Sequence, residues 1–288
     1  MKYFGFLLVI LFSSNPLWAQ EDLLNEFDIP ADEKVSSVFN STRVVSISST
    51  EILPSKSLEF RIAHRFADFS KGFENLFGFD GPASILFSLD YSVLDRLTLG
   101  IGRTNINQNL NFNLKYAWLQ QTKGNKIPLS VVSFNQLNIT HRKEQFIGEF
   151  RYFTNRINYL NQVLISKKFN NRFSGQISPT YMFQSLVDLK SDKHHLFALP
   201  MAARYKVSKR VSIVGEYAPR LNTYNSQHSN LYNSLSLGVD IETGGHVFQL
   251  FLTNSTAIND FQVITQTNTS WQENSFRIGF NISRVFGI

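Results

Sequence analysis

Apolar and polar residues alternate along most of this chain, from Leu58 to the C-terminus. The clearest stretches are residues 110–118 (LNFNLKYAW), 235–241 (LSLGVDI) and 276–282 (FRIGFNI). Because successive side chains of a β-strand point to opposite faces, each stretch would have one apolar and one polar face. The pattern therefore predicts an all-β fold built from amphipathic strands.

The length of these strands separates two classes of β protein. Strands of soluble proteins usually have about five or six residues, whereas a tilted strand needs about ten to cross a bilayer. The sequence predicts about twelve strands of the longer kind, and hence a closed antiparallel transmembrane β-barrel. The predicted strands are 58–66, 84–94, 96–105, 109–120, 128–140, 156–168, 172–185, 196–207, 210–221, 231–242, 246–257 and 275–286.

The links between these strands alternate in length. Turns as short as 94–96 and 243–245 alternate with longer links such as 67–83 and 258–274. Bacterial barrels have short turns in the periplasm and long loops outside the cell. We therefore expect short periplasmic turns, longer external loops, and both termini in the periplasm, which requires an even number of strands.

A secreted soluble β-sandwich, such as a carbohydrate-binding module, is the alternative class. The chain contains 27 Phe and 10 Tyr, and many of them lie in the alternating rows. A soluble sandwich would expose one of these rows to water. The aromatic content is also typical of strands and of the interfacial girdles of membrane barrels, so it favours the membrane.

The N-terminus predicts export from the cytoplasm. Residues 4–12 (FGFLLVILF) form an apolar run after Lys2 that is too short to span a membrane, and Ala19 offers a cleavage position. Residues 1–19 are therefore predicted to be a signal peptide. The absence of cysteine excludes a lipoprotein anchor and disulfides. No later run is long enough for a transmembrane helix, which leaves the closed barrel, placed in the cell outer membrane.

Residues 20–56 precede the barrel domain, which we assign to residues 57–288. The acidic residues 20–36 are predicted to form a flexible periplasmic tail. Residues 37–50 form a short strand-like segment rich in Val, Ile, Ser and Thr. As a thirteenth wall strand this segment would put the N-terminus outside the cell. We therefore expect it inside the lumen or against the periplasmic rim.

Charge and hydropathy agree with a barrel that has a polar interior. The mean hydropathy is only −0.13 although 43% of the residues are hydrophobic. The net charge is +6, but the basic residues are scattered and form no patch for nucleic acid. Outer-membrane lipid and an unidentified small solute are the expected partners, and we expect a monomer.

Several stretches resemble a known family. They are 58–66 (LEFRIAHRF), the Gly/Phe-rich 71–80 (KGFENLFGFD), 89–103 (LDYSVLDRLTLGIGR), 165–169 (ISKKF) and 178–181 (SPTY). Over about residues 40–285 the chain resembles the outer-membrane β-barrel family of Gram-negative Bacteroidota known as domain of unknown function 5777. Ala67 and Ser92 stand where we expect glycine in that family. The resemblance implies an outer-membrane barrel without an established activity.

The alternation also predicts which charged side chains face the lumen. A charge on the lipid face would cost about 2–4 kcal/mol at the middle of the bilayer. The predicted lumen-facing residues are Glu59, Arg61, Arg65, Asp90, Lys115, Arg204, Glu216, Arg220, Asp240 and Arg277. Their opposite charges either pair across the lumen and fill it, or they line a polar pore or solute site.

Three functions are compatible with this sequence. A passive pore or small-solute transporter comes first, because the predicted lumen carries both charge signs. A structural or interaction barrel with a plugged lumen is the second. The third is a barrel-embedded hydrolase, although no Gly-x-Ser-x-Gly or His-Glu-x-x-His motif occurs. We expect no enzyme activity, no catalytic residue, no cofactor and no metal site, including at His194 and His195.

Overall fold

The computed structural model describes residues 33–187, 192–222 and 231–288. The predicted signal peptide (1–19) and residues 20–32 of the predicted tail lie outside the described residues. Within the described ranges, no helix is long and apolar enough to cross a membrane.

In the described ranges, fourteen β-strands form one antiparallel sheet that closes on itself. The strands are β1 (Ser57–Arg65), β2 (Ser84–Leu94), β3 (Leu97–Thr104), β4 (Asn109–Leu119), β5 (Ser130–Thr140), β6 (Ile157–Lys168), β7 (Phe173–Ile177), β8 (Thr180–Phe183), β9 (His195–Ala198), β10 (Met201–Lys206), β11 (Val211–Ala218), β12 (Ser234–Thr243), β13 (His246–Thr253) and β14 (Arg277–Gly287). Each pairs with its neighbours, and β1 pairs with β14 to close the ring.

These fourteen segments make a wall of twelve strands. Strand β6 pairs with both β7 and β8, and these two pair with β10 and β9 respectively. The predicted strands 172–185 and 196–207 are therefore each divided in two, at Pro179 and Pro200. Proline has no N–H to donate to the ladder, which explains the breaks. The predicted closed antiparallel barrel of twelve strands is confirmed.

The two ends of the barrel differ as predicted. At the end that holds the first and last strand termini, β12 and β13 are joined by Gly244 and Gly245 alone. Both glycines have positive φ, +43° and +116°, which suits a two-residue hairpin turn. The opposite end carries longer links, including 66–83 and 254–276. By the rule for bacterial barrels, the end with short turns is periplasmic.

Helical structure is confined to short segments. Irregular 3-10 turns lie at Phe69–Gly78, Ile106–Gln108, Phe153–Arg156 and Trp271–Glu273, and one α-helix, α1, spans Asp260–Thr265. Asn259 caps α1 by accepting a hydrogen bond from the Gln262 N–H.

The outer face of the wall is largely apolar. Phe60, Phe87, Phe112 and Leu237 are between 36 and 55% exposed, whereas their sequence neighbours on the strands point inward. This is the register that the alternation predicts, with apolar side chains toward lipid. A slip of one residue would have inverted each strand.

Two inserts fill the lumen. The N-terminal insert (residues 33–56) enters and leaves at the periplasmic end, and its residues 38–53 are almost all buried. The outer insert (residues 254–270) folds inward from the opposite end and carries α1, whose six residues are all buried. The predicted strand 246–257 therefore ends at Thr253, and the predicted external link 258–274 is in large part internal.

Candidate functional site

The N-terminal insert is a hairpin inside the barrel. Its two limbs meet where the backbone N–H groups of Val38 and Phe39 donate to the Glu51 carboxylate at 2.7 and 3.0 Å. At the tip, the Val44 N–H donates to the Ile47 carbonyl at 2.9 Å. Residues 37–50 thus lie inside the lumen and are not a strand of the wall. This is one of the two positions that we expect from the sequence.

A wall carboxylate holds the tip of the N-terminal insert. The backbone N–H groups of Val45, Ser46 and Ile47 donate to Glu216 of β11 at 2.9–3.1 Å. Three successive N–H groups converging on one site form an anion-binding nest, and bonds to a charged acceptor are stronger than neutral ones. Glu216 therefore satisfies three backbone donors of a buried turn and fixes the position of that turn.

The two inserts meet in the middle of the lumen. Arg43 Nη1 of the N-terminal insert lies 2.7 Å from Asp260 Oδ2 of the outer insert. The Ser48 N–H donates to the other oxygen of the same carboxylate at 2.6 Å. Both charged side chains are buried, 6% and 0% exposed. The ion pair and the hydrogen bonds to Asp260 connect the two inserts, which together close the lumen.

Charged residues of the wall surround the limbs of the N-terminal insert. Lys115 Nζ donates to the carbonyls of Thr42, Ser49 and Glu51 at 2.9, 3.0 and 3.3 Å. Arg61 donates to the Glu59 carboxylate at 2.9 Å, and Glu59 accepts from the Thr42 hydroxyl. These predicted lumen-facing residues are buried and form a network with the insert.

Arg65 lies beside the tip of the N-terminal insert. Its guanidinium carbon is 4.1 Å from the centroid of the Phe251 ring, a cation–π geometry. One nitrogen donates to the Ser46 hydroxyl at 3.2 Å, and another donates to the Asn281 side-chain oxygen at 3.0 Å.

Three further predicted residues face the lumen from other parts of the wall. Arg204 donates to the Ser37 carbonyl at 3.3 Å, and Asp240 accepts from Gln249 at 2.9 Å. Asp90 borders, with Arg43 and Lys115, a cavity of about 20 Å³. The lumen around the N-terminal insert is therefore charged and nearly filled.

The last two predicted residues lie at the outer end. Arg277 donates to the Thr269 hydroxyl at 2.9 Å, and Arg220 donates to the Ile264 carbonyl at 3.2 Å. Strand β11 ends at Ala218, short of the predicted end at 221, and Arg220 follows it in an isolated antiparallel bridge with Ala198 of β9. Both arginines contact the outer insert and not the tip of the N-terminal one.

Sequence reasoning missed an apolar side of the lumen. The inward side chains of β5, β6, β8 and β9 there are aliphatic or aromatic and pack against α1 of the outer insert. This cluster comprises Ala117, Val132, Phe134, Leu160, Leu164, Met182, Leu196, Ala198, Ala218, Phe261 and Ile264, with Ile52 of the N-terminal insert at its edge. One signal for α1 was present in the sequence. The pair Asn259-Asp260, which lies in the predicted external link 258–274, is typical of the start of a helix.

A vestibule of about 590 Å³ opens above α1 at the outer mouth. Amide side chains line much of it, among them Asn107, Asn155, Asn158, Gln145, Gln184 and Gln266. Among the described lining residues, only Arg142 and Glu149 carry charge, and they pair at 2.8 Å. The hydrogen bond from Arg142 lowers the pKa of the Glu149 carboxyl below its ordinary value. The vestibule is therefore polar and electrically balanced.

The histidines considered as metal ligands make separate contacts. His194 Nδ1 lies 2.6 Å from the Gln184 carbonyl oxygen, and His195 Nδ1 lies 2.7 Å from the Tyr181 hydroxyl. In the described part of the chain, no three His, Asp or Glu side chains are grouped so that they could hold a metal ion.

The wall and its contents define the class of the protein, a transmembrane β-barrel with an internally closed lumen. The membrane bound beta barrel domain family (DUF5777) matches residues 39–286, and the chain belongs to this family. The family resemblance seen in the sequence is confirmed, whereas an origin in Bacteroidota stays a prediction.

Solved outer-membrane proteins share the fold. The NanC porin has a TM-score of 0.50 at 10% identity, over 80% of this chain and 99% of the porin. An outer membrane channel from Pseudomonas putida F1 has a TM-score of 0.50 at 14% identity, over 84% and 100% of the two chains. No curated protein matches the sequence. The protein is an outer-membrane β-barrel with a porin-like fold.

Proposed function

We propose that this protein is a gated pore for small solutes, closed at rest by its N-terminal insert. The main support for the proposal is that Glu216 accepts hydrogen bonds from three backbone N–H groups at the tip of the insert. A permanently open pore does not fit a lumen in which residues 38–53 are buried. Opening requires that the insert leave the lumen.

The route out of the lumen is direct. Both limbs of the N-terminal insert connect to the periplasmic end, where the Val35 N–H bonds the Gln121 carbonyl and the Lys56 N–H bonds the Ser92 carbonyl at 3.0 and 2.8 Å. A hairpin anchored at one end of a tube can withdraw without threading either terminus through the wall. Its withdrawal breaks polar contacts, separates Val38, Phe39, Val44, Val45 and Ile47 from their apolar cluster with the wall, and leaves every wall strand paired.

The wall around the N-terminal insert is suited to water. Charged groups buried without full pairing are costly, and water relieves that cost. Within the described residues, Arg61 Nε, Arg65 Nε and Arg204 Nε are buried without a hydrogen-bond partner. Removal of the insert would expose these donors and the neighbouring carboxylates to water, and would leave a lumen with charges of both signs.

A non-conducting interaction barrel is the second candidate. The ion pair between Arg43 and Asp260 favours it, because two inserts that lock each other are suited to a permanent plug. In that case the external loops and the vestibule would carry the function. A hydrolase is not proposed, since among the residues that the structure describes no contact brings a nucleophile together with a histidine and an acid.

Conductance of the purified full-length protein in planar bilayers tests the proposal. Glu216→Gln replaces a charged acceptor by a neutral amide, and hydrogen bonds to charged groups contribute about 1.5–3 kcal/mol each. We expect rare openings of the unmodified protein and at least about tenfold more open time in the variant. Glu242→Gln, at an exposed position on neighbouring β12, is the matched control and should behave as the unmodified protein.

A reversible tether identifies the gate. The hydroxyls of Thr50 on the insert and Ser166 on β6 lie 2.5 Å apart, and the chain has no cysteine. We introduce Thr50→Cys and Ser166→Cys together in the Glu216→Gln background. Oxidation should silence the pore and reduction should restore it. Currents that persist after oxidation would exclude the insert as the gate, and silence under both conditions would favour the interaction barrel.

A further inference from the structure

The lipid-facing belt contains one polar patch near its middle. We define the amide patch as Ser133 and Asn135 on β5 with Asn161 on β6. All three alternate with buried neighbours and so point away from the lumen. The residues that precede and follow them on the same face are apolar, namely Val131, Leu137, Tyr159 and Val163.

The two amides lie side by side. Asn135 and Asn161 are direct partners in the β5–β6 pairing. Each is near the centre of a strand of eleven or twelve residues. The other polar outward residues of the described wall lie near strand ends, for example Arg103 and Arg284. The patch is therefore at the depth of the hydrocarbon core.

The amides of the patch have no hydrogen-bond partner among the residues that the structure describes. Ser133 Oγ is 3.5 Å from the Tyr116 carbonyl oxygen, but in the described ranges neither Asn135 nor Asn161 has a side-chain hydrogen bond. Lipid tails offer no donor or acceptor, so unsatisfied polar groups at this depth are expensive. Polar side chains inside a membrane usually serve a contact or a function.

The shape of this surface favours a docked protein. Asn135 and Asn161 form a ridge that borders two clefts, of about 420 and 650 Å³. Tyr181 and Phe197 edge the first cleft, and Phe112 edges the second. The surface thus offers a polar ridge between two apolar hollows.

We propose that the amide patch is the contact surface for a second copy of this chain. Two copies in one membrane have the same orientation, so the two-fold axis of a dimer lies along the membrane normal. An axis that passes through the patch exchanges the two amides, and Asn135 of one copy then meets Asn161 of the other. Each amide has both a donor and an acceptor, so the pairs are self-complementary. This dimer replaces the monomer expected from sequence and is independent of the gating proposal.

Cysteine cross-linking in intact membranes tests the dimer. The chain has no native cysteine, so Asn161→Cys and Asn135→Cys place single thiols in the patch. Leu250→Cys on β13, also lipid-facing at 60% exposure, is the control. We expect a short bis-maleimide to give a band of twice the monomer mass for the patch variants only. Equal cross-linking at Leu250, or products only with another protein, would overturn the proposal.

Loss of the amides gives a second readout. The double variant Asn135→Leu with Asn161→Leu suits the lipid face and should preserve the folded barrel, as checked by its heat-modified migration in gels. Hydrogen bonds between membrane segments contribute about 1 kcal/mol, so loss of the two symmetric pairs should weaken the dimer about tenfold or more. Light scattering in detergent measures this change. A folded double variant that dimerises like the unmodified protein would overturn the proposal.

Discussion

The lumen of this barrel has two sides that hold their inserts by different physics. The charged side, which includes Glu59, Lys115 and Glu216, binds the N-terminal insert through hydrogen bonds, beside a smaller apolar cluster of the insert with the wall. The apolar side, formed by β5, β6, β8 and β9, packs against Phe261 and Ile264 of the outer insert. Water can replace the first kind of contact but not the second. The difference therefore suggests one movable insert and one fixed insert.

The energetics support this division. Burial of a large apolar side chain stabilises a fold by about 1.5–3 kcal/mol, and this gain is lost when the surface is wetted. A buried charged network gains much less, because desolvation offsets most of the attraction. Withdrawal of the N-terminal insert exchanges its polar contacts for hydration and exposes the smaller cluster around Val214 and Phe251, whereas withdrawal of α1 would expose the larger cluster that includes Phe134, Leu160 and Leu164.

The largest expected effect is on the apolar side. Phe261→Ala leaves a cavity against Phe134 and should lower the free energy of unfolding by about 3–5 kcal/mol. The conductance should stay as rare as in the unmodified protein. Urea unfolding in detergent, followed by intrinsic fluorescence, measures the loss, and Phe248→Ala on the lipid face is the control, at 40% exposure. Frequent openings without destabilisation would instead make the outer insert the gate.

The matching change on the charged side should affect opening more than stability. Arg43→Ala removes the partner of Asp260, and in a dry interior an orphaned charge costs about 3–5 kcal/mol. If the insert leaves as proposed, water solvates Asp260, so we expect a loss below about 2 kcal/mol together with frequent openings. Arg210→Ala, at an exposed periplasmic turn, is the control. A decrease of about 3–5 kcal/mol in the free energy of unfolding, without frequent openings, would show that the charged side is as rigid as the apolar side.

The wall was readable from sequence because its signal is local. Each strand repeats an apolar–polar period of two, and the predicted ends differ from the observed ends by a few residues. The breaks at prolines 179 and 200 were not predicted, although the missing N–H of proline is a signal for them that the sequence contains. Both are local properties of the chain.

The contents of the lumen were harder to predict. In β6, Leu160 and Leu164 point inward while Asn161 points to lipid, so the rule of polar inside and apolar outside fails there. The reason is that these leucines pack on α1, a helix formed by residues distant in the sequence. The bonds of Glu216 to the insert tip likewise span about 170 residues. Sequence alternation assigned the face of Glu216 but contains no information about its partner.

A smaller effect is expected where a glycine lets the charged side pack closely. A Cβ on Gly279 would lie 2.4 Å from the Phe251 ring and 2.8 Å from Arg65 Cδ. Gly279→Ala should therefore displace Arg65 from Ser46, cost about 1 kcal/mol, the low end for added methyl groups, and increase the open time. Gly287→Ala on the same strand is the control, because nothing lies within 4 Å of its added Cβ. An unchanged open time would mean that Arg65 does not help to hold the insert tip.

The smallest expected effect concerns the outer mouth, which belongs to neither side of the lumen. The hydrogen bond from Arg142 lowers the pKa of Glu149, so this carboxylate stabilises the 141–156 loop above its unfolded-state pKa. That contribution is lost as the pH falls through the lowered value. We expect faster proteolysis of this loop in acid, by a protease active at low pH, and Glu149→Gln should abolish the pH dependence. If the pore openings showed the same pH dependence as this proteolysis, we would conclude that the outer mouth is coupled to the N-terminal insert.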